Sequence, residues 1–474
     1  MSDAVEVLRG TPADVGVFPF TIERPDGSLL LGATQADSFF TSTYWLFTDD
    51  GPIEWPFPPK STPNGESHGR MLVSLEQDWQ PQDAEFLTGD LVAFDLDEFL
   101  STRELPTVEL VFRPSDTQAV SGVAVAAGGT LLSITDNVIG QVLRLQPTDS
   151  GWMTTPIDLP GTGDVAIAFA DLKEDLVLLN YEDFLTPASL LALDSTTDEI
   201  ESLKAAPARF DATGLVVEQR SASSSDGTTI PYFVVRRDDV EMDGTTPTLL
   251  YGYGGFQVSL SPSYSGNIGR NWLAHGGAFV LANIRGGGEF GPNWHQAGLK
   301  TNRQRVYDDF IAVAESLVES GLTTPEHLGI MGGSNGGLLM GVMLNQRPDL
   351  WNAVVVQVPL LDMMRYHLLL AGASWVDEYG SPDDPDERAF LETISPYHNF
   401  DAALPYPTPL FVTSTKDDRV HPGHARKMAK LFQDARLPFL YYENIDGGHS
   451  AAANQTEAAK RTALEFTYLT RRLT

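Results

Sequence analysis

The stretch "GIMGGSNGGLLMG", residues 329–341, places Ser334 between two pairs of glycines. A glycine inside a helix or strand costs roughly 0.5–1 kcal/mol relative to alanine, so four glycines around one hydroxyl need a structural reason. The preceding "HLGIMGG" is typical of a buried strand, and the following "GGLLMGVMLNQRPDL" is typical of a helix. The pattern Gly-x-Ser-x-Gly between these elements predicts a sharp turn that presents Ser334 as a nucleophile above a sheet.

The chain on both sides of this turn alternates between buried strands and helices. Near-continuous apolar runs such as "TPTLLYGYGG", "WNAVVVQVP" and "PLFVTST" are typical of parallel strands that are buried on both faces. In contrast, "RVYDDFIAVAESLVESG" repeats its apolar residues at helical spacing and ends at Gly321. This alternation predicts an α/β-hydrolase domain over residues 215–474, with a mostly parallel, doubly wound sheet.

Residues 1–214 follow a different pattern. Short runs with strand character, among them "VELVFRP", "GQVLRLQP" and "DLVLLNYED", are separated by Gly, Asp, Pro and Ser. Many short strands with such turns indicate an all-β sandwich, barrel or propeller. Two segments share a strand–turn–strand rhythm, which favours blades of about 40–50 residues, and this half holds roughly four of them. We therefore expect an all-β domain over residues 1–214, and the rhythm of its strands favours a propeller among these three folds.

Two further catalytic residues are expected at later strand ends. A serine hydroxyl attacks only when a base removes its proton and a carboxylate orients that base. In α/β-hydrolases these residues follow the serine in the order acid, then histidine. Asp417 and Asp418 come after the strand "PLFVTST", and His449 comes after "PFLYYENI". Of the nine histidines, His449 alone fits both the order and the position.

The oxygen that becomes negatively charged during acyl transfer also needs hydrogen-bond donors. The backbone N–H of Asn335, which directly follows the nucleophile, is the expected first donor. The second donor usually comes from a glycine-rich loop after an earlier strand, and "YGYGGF", residues 251–256, is such a loop.

The composition restricts the partners. With 64 acidic and 31 basic residues the formal net charge is −33, so we expect the protein to bind neither nucleic acid nor anionic membranes. The acidic excess fits a shell suited to high salt as well as plain solubility. There is no cysteine, and the sequence has neither a recognisable signal peptide nor an apolar run of membrane-spanning length. A cytoplasmic location is therefore expected.

One glycine-rich motif matches a dinucleotide-binding pattern but lacks the surroundings that such a site needs. "RGGGEFG" matches Gly-x-Gly-x-x-Gly at Gly286, Gly288 and Gly291, after a strand. A dinucleotide site needs a helix that opens at this loop, but "PNWHQAGLK" has no helical period. No spacing of histidines and carboxylates indicates a metal site either. We expect no cofactor and no metal.

Several long strings of this sequence resemble the prolyl oligopeptidase family of serine peptidases. They are "LLYGYGGF", "ANIRGGGEFG", "GGSNGGLL", "DDRV" and "GGH", in this order, and the resemblance covers the chain from about residue 215 to its end. The resemblance implies that Ser334 is the nucleophile, His449 the general base and Asp417 its orienting partner. It also implies that the Tyr253 hydroxyl assists the Asn335 N–H at the oxyanion.

The same resemblance implies a binding pocket for proline. Its positions here are Phe256, Leu360, Trp375, Tyr379 and Val420, with Trp375 stacking on the proline ring. A flat aromatic wall suits proline because its rigid, apolar ring loses little entropy on binding. Arg419 matches a family arginine that binds a substrate carbonyl near the scissile bond.

In the family, a seven-bladed propeller covers the active site and admits only short peptides. The first half of this chain is too short for seven blades, so the resemblance implies that residues 1–214 are an incomplete β-propeller. Open blade edges favour association between copies. The expected function is a serine peptidase that cleaves short peptides on the carboxyl side of proline. Two alternatives stay open: an esterase or peptidase of different preference on the same triad, and a catalytically silent binding protein whose triad is misaligned.

Overall fold

The computed structural model describes residues 5–474 and divides into two units. Short segments around residues 262 and 291 belong to the first unit: the Thr135 hydroxyl donates to the Glu289 carbonyl (3.2 Å), and the Tyr264 N–H donates to the Glu182 carboxylate (3.1 Å). The second unit comprises Ala208–Leu260, Ser265–Gly288 and Trp294–Thr474. The domain boundary expected after residue 214 stays a prediction.

The first unit consists of four antiparallel sheets, each of four strands in chain order. The first contains Gly16–Glu23 (β1), Leu29–Ala36 (β2), Ser42–Thr48 (β3) and Gly51–Glu54 (β4). The second contains Ser61–Ser67 (β5), Arg70–Leu75 (β6), Leu91–Asp95 (β7) and Glu109–Phe112 (β8), with the helix Leu96–Thr102 (α1) after β7. The third contains Gln118–Ala126 (β9), Gly129–Asp136 (β10), Ile139–Thr148 (β11) and Gly151–Ile157 (β12). The fourth contains Asp164–Phe169 (β13), Leu176–Glu182 (β14), Ser189–Asp194 (β15) and Ile200–Ala205 (β16).

Successive sheets of this unit share apolar cores. Leu46 and Trp55 of the first sheet region pack with Phe94 of the second, and Leu91 of the second packs in a cluster with Leu132 of the third. Period-2 alternation gives each strand an apolar face, and a four-stranded sheet buries that face only against a neighbouring sheet. Together these sheets confirm the all-β, propeller-type fold predicted for the first half.

The second unit is built on one eight-stranded sheet in the order β17-β18-β20-β19-β21-β22-β23-β24. Its strands are Leu215–Ser223 (β17), Thr229–Arg237 (β18), Thr248–Tyr251 (β19), Ala278–Ala282 (β20), Leu328–Gly333 (β21), Ala353–Gln357 (β22), Leu410–Ser414 (β23) and Leu440–Asn444 (β24). The first two strands pair antiparallel, β18 is also antiparallel to β20, and all other pairs are parallel. The predicted mostly parallel α/β-hydrolase domain is confirmed.

Helices connect the parallel strands and cover the sheet. They are Gly266–Asn271 (α2), Pro292–Gln296 (α3), Gln304–Glu319 (α4), Asn335–Gln346 (α5), Val376–Tyr379 (α6), Pro385–Ile394 (α7), Gly423–Asp434 (α8) and Gln455–Leu473 (α9). Short 3₁₀ segments occur at Leu273–His275, Lys300–Asn302, Tyr366–Leu368 and Leu370–Trp375. The predicted apolar face of α4 is buried at Val306, Phe310, Ala314 and Leu317, whereas Val318 is only partly buried.

One local expectation is wrong. The segment after "RGGGEFG" was expected to lack a helix, but Pro292–Gln296 forms one. The helix has five residues, which is little more than one turn. A proline supplies its first residue, where the missing N–H costs no hydrogen bond, so a short helix forms without any longer periodic pattern.

Candidate active site

Ser334 lies on a strained turn between β21 and α5. Its φ of +59° is a conformation that residues with a side chain rarely adopt. The turn also brings two backbones close together: a Cβ on Gly332 would lie 2.5 Å from the Gly336 carbonyl oxygen, and one on Gly337 would lie 2.6 Å from the Gln357 carbonyl oxygen. Gly332 and Gly337 are therefore required, because a Cβ at either position would overlap backbone atoms.

Asp417 and His449 meet at the carboxyl ends of β23 and β24. His449 Nδ1 lies 2.7 Å from Asp417 Oδ2, and the Asp417 side chain is fully buried. The other oxygen of Asp417 accepts the N–H groups of Arg419 (3.0 Å) and Val420 (2.9 Å). Asp417 is thus held in place by three donors, whereas the neighbouring Asp418 is exposed. This geometry orients the imidazole ring and leaves its Nε2 directed away from the carboxylate.

The third contact of the predicted triad, a hydrogen bond between Ser334 and His449, is not formed in this structure. Within residues 5–474 no hydrogen bond joins the Ser334 hydroxyl to the His449 imidazole. The two residues belong to the same unit and follow strands whose carboxyl ends lie at one edge of the sheet. Catalytic hydrogen bonds are often long or poorly aligned in unliganded enzymes and tighten with substrate.

The expected oxyanion donors lie next to Ser334. Asn335 is the first residue of α5, where the backbone N–H groups have no partner within the helix and favour negative charge. Tyr253 interacts with the Ser334 side chain through its hydroxyl. Burial, followed by the charge of Glu378, raises the pKa of the Tyr253 phenol, so the hydroxyl keeps its proton at neutral pH. A protonated phenol can donate a hydrogen bond to an oxyanion, as the expected role of Tyr253 requires.

The loop that carries Tyr253 has a strained backbone. Gly254 has a φ of +62°, and the two residues after Gly255, Phe256 and Gln257, both have a φ of +56°. Two consecutive non-glycine residues in this region cost on the order of 1–3 kcal/mol each unless the surrounding structure holds them. The conformation of this loop is consequently imposed by its contacts.

The expected pocket residues come together, but they differ in exposure. The Phe256 ring makes edge contacts with Trp375 (6.4 Å between centroids) and Tyr379 (5.6 Å). Phe256 and Trp375 are partly exposed and pack against the core of the unit. Leu360, Tyr379 and Val420 are 1–2% exposed and belong to that core. A ligand would therefore touch mainly Phe256 and Trp375, with the buried residues behind them.

Arg419 is available for a ligand. Its side chain is exposed, and among the described residues its guanidinium takes part in no ion pair or side-chain hydrogen bond. Its backbone is fixed by the bond to Asp417, so the side chain starts from a defined point beside the candidate triad.

A buried ion pair that the sequence did not predict lies beneath the site. Arg303 Nη1 donates to Glu378 Oε1 (2.7 Å), and both side chains are at most 1% exposed. His295 Nε2 lies 2.8 Å from the other oxygen of Glu378. The second guanidinium nitrogen of Arg303 donates to the Asn335 side-chain oxygen and to the Gly254 carbonyl (3.2 Å).

Further bonds tie this pair to the oxyanion donors. The Tyr379 hydroxyl donates to Asn335 Oδ1 (3.0 Å), and Asn335 Nδ2 donates to the Tyr253 carbonyl (2.6 Å). Burial alone would raise the pKa of Glu378, but the hydrogen bond with His295 and the charge of Arg303 hold it below its ordinary value. Glu378 is therefore ionised opposite the buried guanidinium.

Sequence reasoning missed Arg303, Glu378 and the side chain of Asn335. The only local signal for Glu378 was an acid between two aromatic pocket positions in "ASWVDEYG". Arg303 precedes an amphipathic helix, where a charged residue normally faces solvent. Its partners are 32 to 75 residues away along the chain, so no short pattern links them.

Comparison with known proteins identifies the family. A solved structure of a post-proline cleaving enzyme from Rickettsia typhi superimposes with a TM-score of 0.92 at 30% sequence identity, covering 100% of this chain and 70% of that one. The chain belongs to the prolyl oligopeptidase family of serine peptidases. Residues 263–474 match the sequence profile of that family.

Two curated relatives are longer than this chain. The uncharacterized peptidase y4nA of Sinorhizobium fredii is 48% identical over 479 residues, which is 100% of this chain and 66% of that protein. A prolyl endopeptidase of Elizabethkingia meningoseptica is 36% identical over 318 residues, 66% of this chain and 45% of the relative. The chain therefore spans less than two thirds of the length of these relatives.

Residues 5–474 contain neither a candidate membrane-spanning helix nor a candidate metal-binding cluster. No helix in this range has the length and apolar character needed to cross a bilayer. No group of three or more histidine, aspartate or glutamate side chains in the same range is arranged to hold a metal ion.

Proposed function

We propose that this protein is a serine peptidase that cleaves short peptides on the carboxyl side of proline. One observation carries the proposal: the 2.7 Å contact between His449 and the buried Asp417, at the sheet edge where Ser334 lies on a strained turn. Chain order, strand ends and turn geometry agree with the Ser–Asp–His arrangement of α/β-hydrolases. The relatives named as prolyl endopeptidase and post-proline cleaving enzyme support the substrate class.

In the proposed acylation, Ser334 Oγ forms a bond to the carbonyl carbon of the proline residue while its proton passes to His449 Nε2. The carbonyl oxygen becomes an oxyanion and accepts hydrogen bonds from the Asn335 N–H and the Tyr253 hydroxyl. Asp417 stabilises the imidazolium that forms. The C–N bond then breaks, and the proton on His449 moves to the leaving amine. The products of this step are an acyl-enzyme ester and a released peptide with a free amino terminus.

In the proposed deacylation, water takes the place of the amine. His449 accepts a proton from the water as its oxygen attacks the ester carbon, and the same two donors hold the second oxyanion. The bond to Ser334 breaks, and the proton returns from His449 to the serine oxygen. A peptide with a carboxyl-terminal proline leaves, and the enzyme regains its starting state.

The aromatic side chains Phe256 and Trp375 support the preference for proline. Both are partly exposed, and their ring planes lie at 80° to each other beside the candidate site. A rigid apolar ring fits such a wall at small entropic cost. Arg419, which is unpaired among the described residues, would donate to a substrate carbonyl beside the scissile bond.

The test combines a reactive probe with a substrate panel. A fluorophosphonate should label the wild-type protein and not Ser334→Ala, and circular dichroism should show the same fold for both. The panel compares peptides that differ only in proline, alanine or arginine before the scissile bond, with a simple ester as the last member. Faster cleavage of the alanine or arginine peptide, or cleavage of the ester with no cleavage of any peptide, would replace the proline assignment by one of the alternatives. Absence of labelling in the folded wild-type protein would refute the peptidase proposal.

Trp375→Ala tests the proline pocket. We expect kcat/KM for the proline peptide to fall about tenfold, because aromatic packing of this kind contributes roughly 0.5–1.5 kcal/mol beyond buried area. Cleavage of the simple ester, which does not fill the pocket, should change less. Leu368→Ala is the control, since Leu368 precedes the same segment but is 71% exposed. Equal losses for peptide and ester would show that Trp375 is not a pocket wall.

The other expectations about the whole protein stay predictions. They are a cytoplasmic location, the lack of affinity for nucleic acid and membranes, the lack of a cofactor, and association of copies through open blade edges.

A further inference from the structure

We propose that Arg303, held by Glu378, is a positioning residue for the oxyanion hole. The inference rests on the proposed serine peptidase function, because it concerns the geometry of the two donors assigned there. Arg303 does not touch the reacting atoms. It acts through the two loops that carry the donors.

Arg303 connects the two loops that carry the oxyanion donors. One nitrogen of the Arg303 guanidinium contacts both loops: the Gly254 carbonyl next to Tyr253, and the side-chain oxygen of Asn335. Asn335 in turn donates to the Tyr253 carbonyl. A single buried group therefore sets the distance between the residue that supplies the hydroxyl donor and the residue that supplies the backbone N–H donor.

The loop that carries Tyr253 has a strained backbone that needs support from its contacts. The backbone at Phe256 and Gln257 has positive φ angles, so the loop does not adopt this shape without support. The supporting groups are packed closely: a Cβ on Gly255 would lie 2.5 Å from Asn335 Nδ2 and 2.9 Å from an Arg303 nitrogen. The loop thus rests directly on Arg303 and Asn335, and a displacement of Arg303 changes the position of Tyr253.

The buried position beneath the site holds an ion pair, Arg303 and Glu378, and not a pair of apolar residues. A buried Arg–Glu pair is weak evidence for stability, because apolar residues of similar volume often stabilise a protein as much or more. Arg303 and Glu378 are at most 1% exposed, and Glu378 directly precedes Tyr379, which also donates to Asn335. The planar guanidinium offers donors in fixed directions, which a point charge does not. Directional placement of the loops explains why a charged pair is found here.

The test uses the variant Arg303→Met/Glu378→Gln, which removes both charges and keeps an amide next to His295. The readout is the ratio of inhibition constants for a peptide ending in proline aldehyde and for the corresponding alcohol. Ser334 Oγ adds to the aldehyde carbon, the C=O double bond becomes a single bond, and the serine proton passes to His449, so that the former carbonyl oxygen enters the oxyanion hole. The alcohol binds without this step. We expect kcat to fall about 10- to 100-fold with KM within about threefold, and the inhibitor ratio to fall by a similar factor.

The matched control is Arg285→Met/Asp309→Asn. Arg285 and Asp309 form another buried pair in the same unit, with Nε to Oδ2 at 2.9 Å, and their side chains bond to neither donor loop. This variant should lose thermal stability and keep the inhibitor ratio. The proposal is overturned if the Arg303 variant folds and keeps the ratio, or if the control loses the ratio to the same extent.

Arg303→Lys keeps the test decisive if the double variant does not fold. It preserves the charge opposite Glu378, but one ammonium nitrogen cannot occupy both the Nη1 position that contacts Glu378 and the Nη2 position that contacts Gly254 and Asn335, so a several-fold fall of the ratio is expected. An unchanged ratio would overturn the proposal. If the wild-type protein is neither labelled by fluorophosphonate nor active, the proposed function and this inference both fail. If the wild type is active and only the variants are unaffected, this inference alone fails.

Discussion

At the scale of single residues, two adjacent aspartates differ completely in environment. Asp417 is fully buried and accepts hydrogen bonds from His449, Arg419 and Val420, whereas Asp418 is exposed. A carboxylate that holds an imidazole must be fixed itself, and only Asp417 meets this condition. The first position of the pair is therefore the one that can orient a catalytic histidine.

Asp417→Asn is expected to lower kcat about 10⁴-fold with the fold intact, because an amide holds the wrong tautomer of His449. Asp418→Asn is the matched control and should keep activity within about twofold. Steady-state kinetics on a proline peptide, together with thermal melting, measure both variants. Equal activity of the two variants would remove Asp417 from the mechanism.

At the scale of elements, the turn between β21 and α5 depends on backbone proximity. A Cβ on Gly332 would lie 2.5 Å from the Gly336 carbonyl oxygen, and backbone atoms cannot move aside as a flexible side chain does. Gly332→Ala should therefore destabilise the protein by roughly 1–3 kcal/mol and slow fluorophosphonate labelling of Ser334. Gly122→Ala is the control, since the nearest atom to its Cβ would be 4.0 Å away. Unchanged labelling of Gly332→Ala would contradict a strained elbow.

Helix α8 is attached to the loop after β22 by a buried histidine. His424 Nδ1 accepts the N–H groups of Leu361 (3.2 Å) and Asp362 (3.0 Å), so the ring is needed in its neutral form. Burial, more than the nearby charges, lowers the pKa of His424 to about 4. In the unfolded chain the ordinary value of about 6.5 applies. Between these values the unfolded state binds the extra proton, so stability falls as the pH falls from about 6.5 to 4.

His424→Gln should flatten this pH dependence. The free energy of unfolding of the wild-type protein should fall by up to about 3 kcal/mol between pH 6.5 and 4 because of this group. The variant should not show that loss. His275→Gln, at an exposed histidine, should behave like the wild type. Urea unfolding at a series of pH values measures the difference. Parallel pH profiles of wild type and His424→Gln would show that the buried ring does not control acid stability.

At the scale of the whole molecule, the dominant feature is the large negative net charge. A net charge of −33 on 474 residues means that self-repulsion opposes the compact state at neutral pH. Raising the salt from about 0.1 to 1 M shortens the screening length from about 10 Å to about 3 Å. We expect the melting temperature at pH 7.5 to rise by several degrees over this range. Near the sequence pI of about 4.4 the repulsion vanishes, and the same salt should have little effect. An identical response at both pH values would show that repulsion is unimportant.

Much of the second unit could be predicted from the sequence because its signals are local. Apolar runs predicted β21, β22 and β23, and helical spacing predicted α4 and α5, all of which the structure contains. The five-residue helix α3 was missed, since one turn leaves no periodic pattern. The positions of Ser334 and His449 followed from chain order and strand ends, which left Asp417 and Asp418 both open until the family resemblance pointed to Asp417. The open Ser334–His449 link depends on side-chain placement that no pattern records.

By itself the sequence determined the fold class, the strained serine turn and the order of the candidate triad, because each is encoded in residues that are close in the chain. Only the tertiary structure decided which charged groups lie beneath the site. Arg303 meets Glu378 across 75 residues and Asn335 across 32. Such contacts arise when separate helices and loops pack on one sheet, and burial then makes it costly to leave a polar group unpaired.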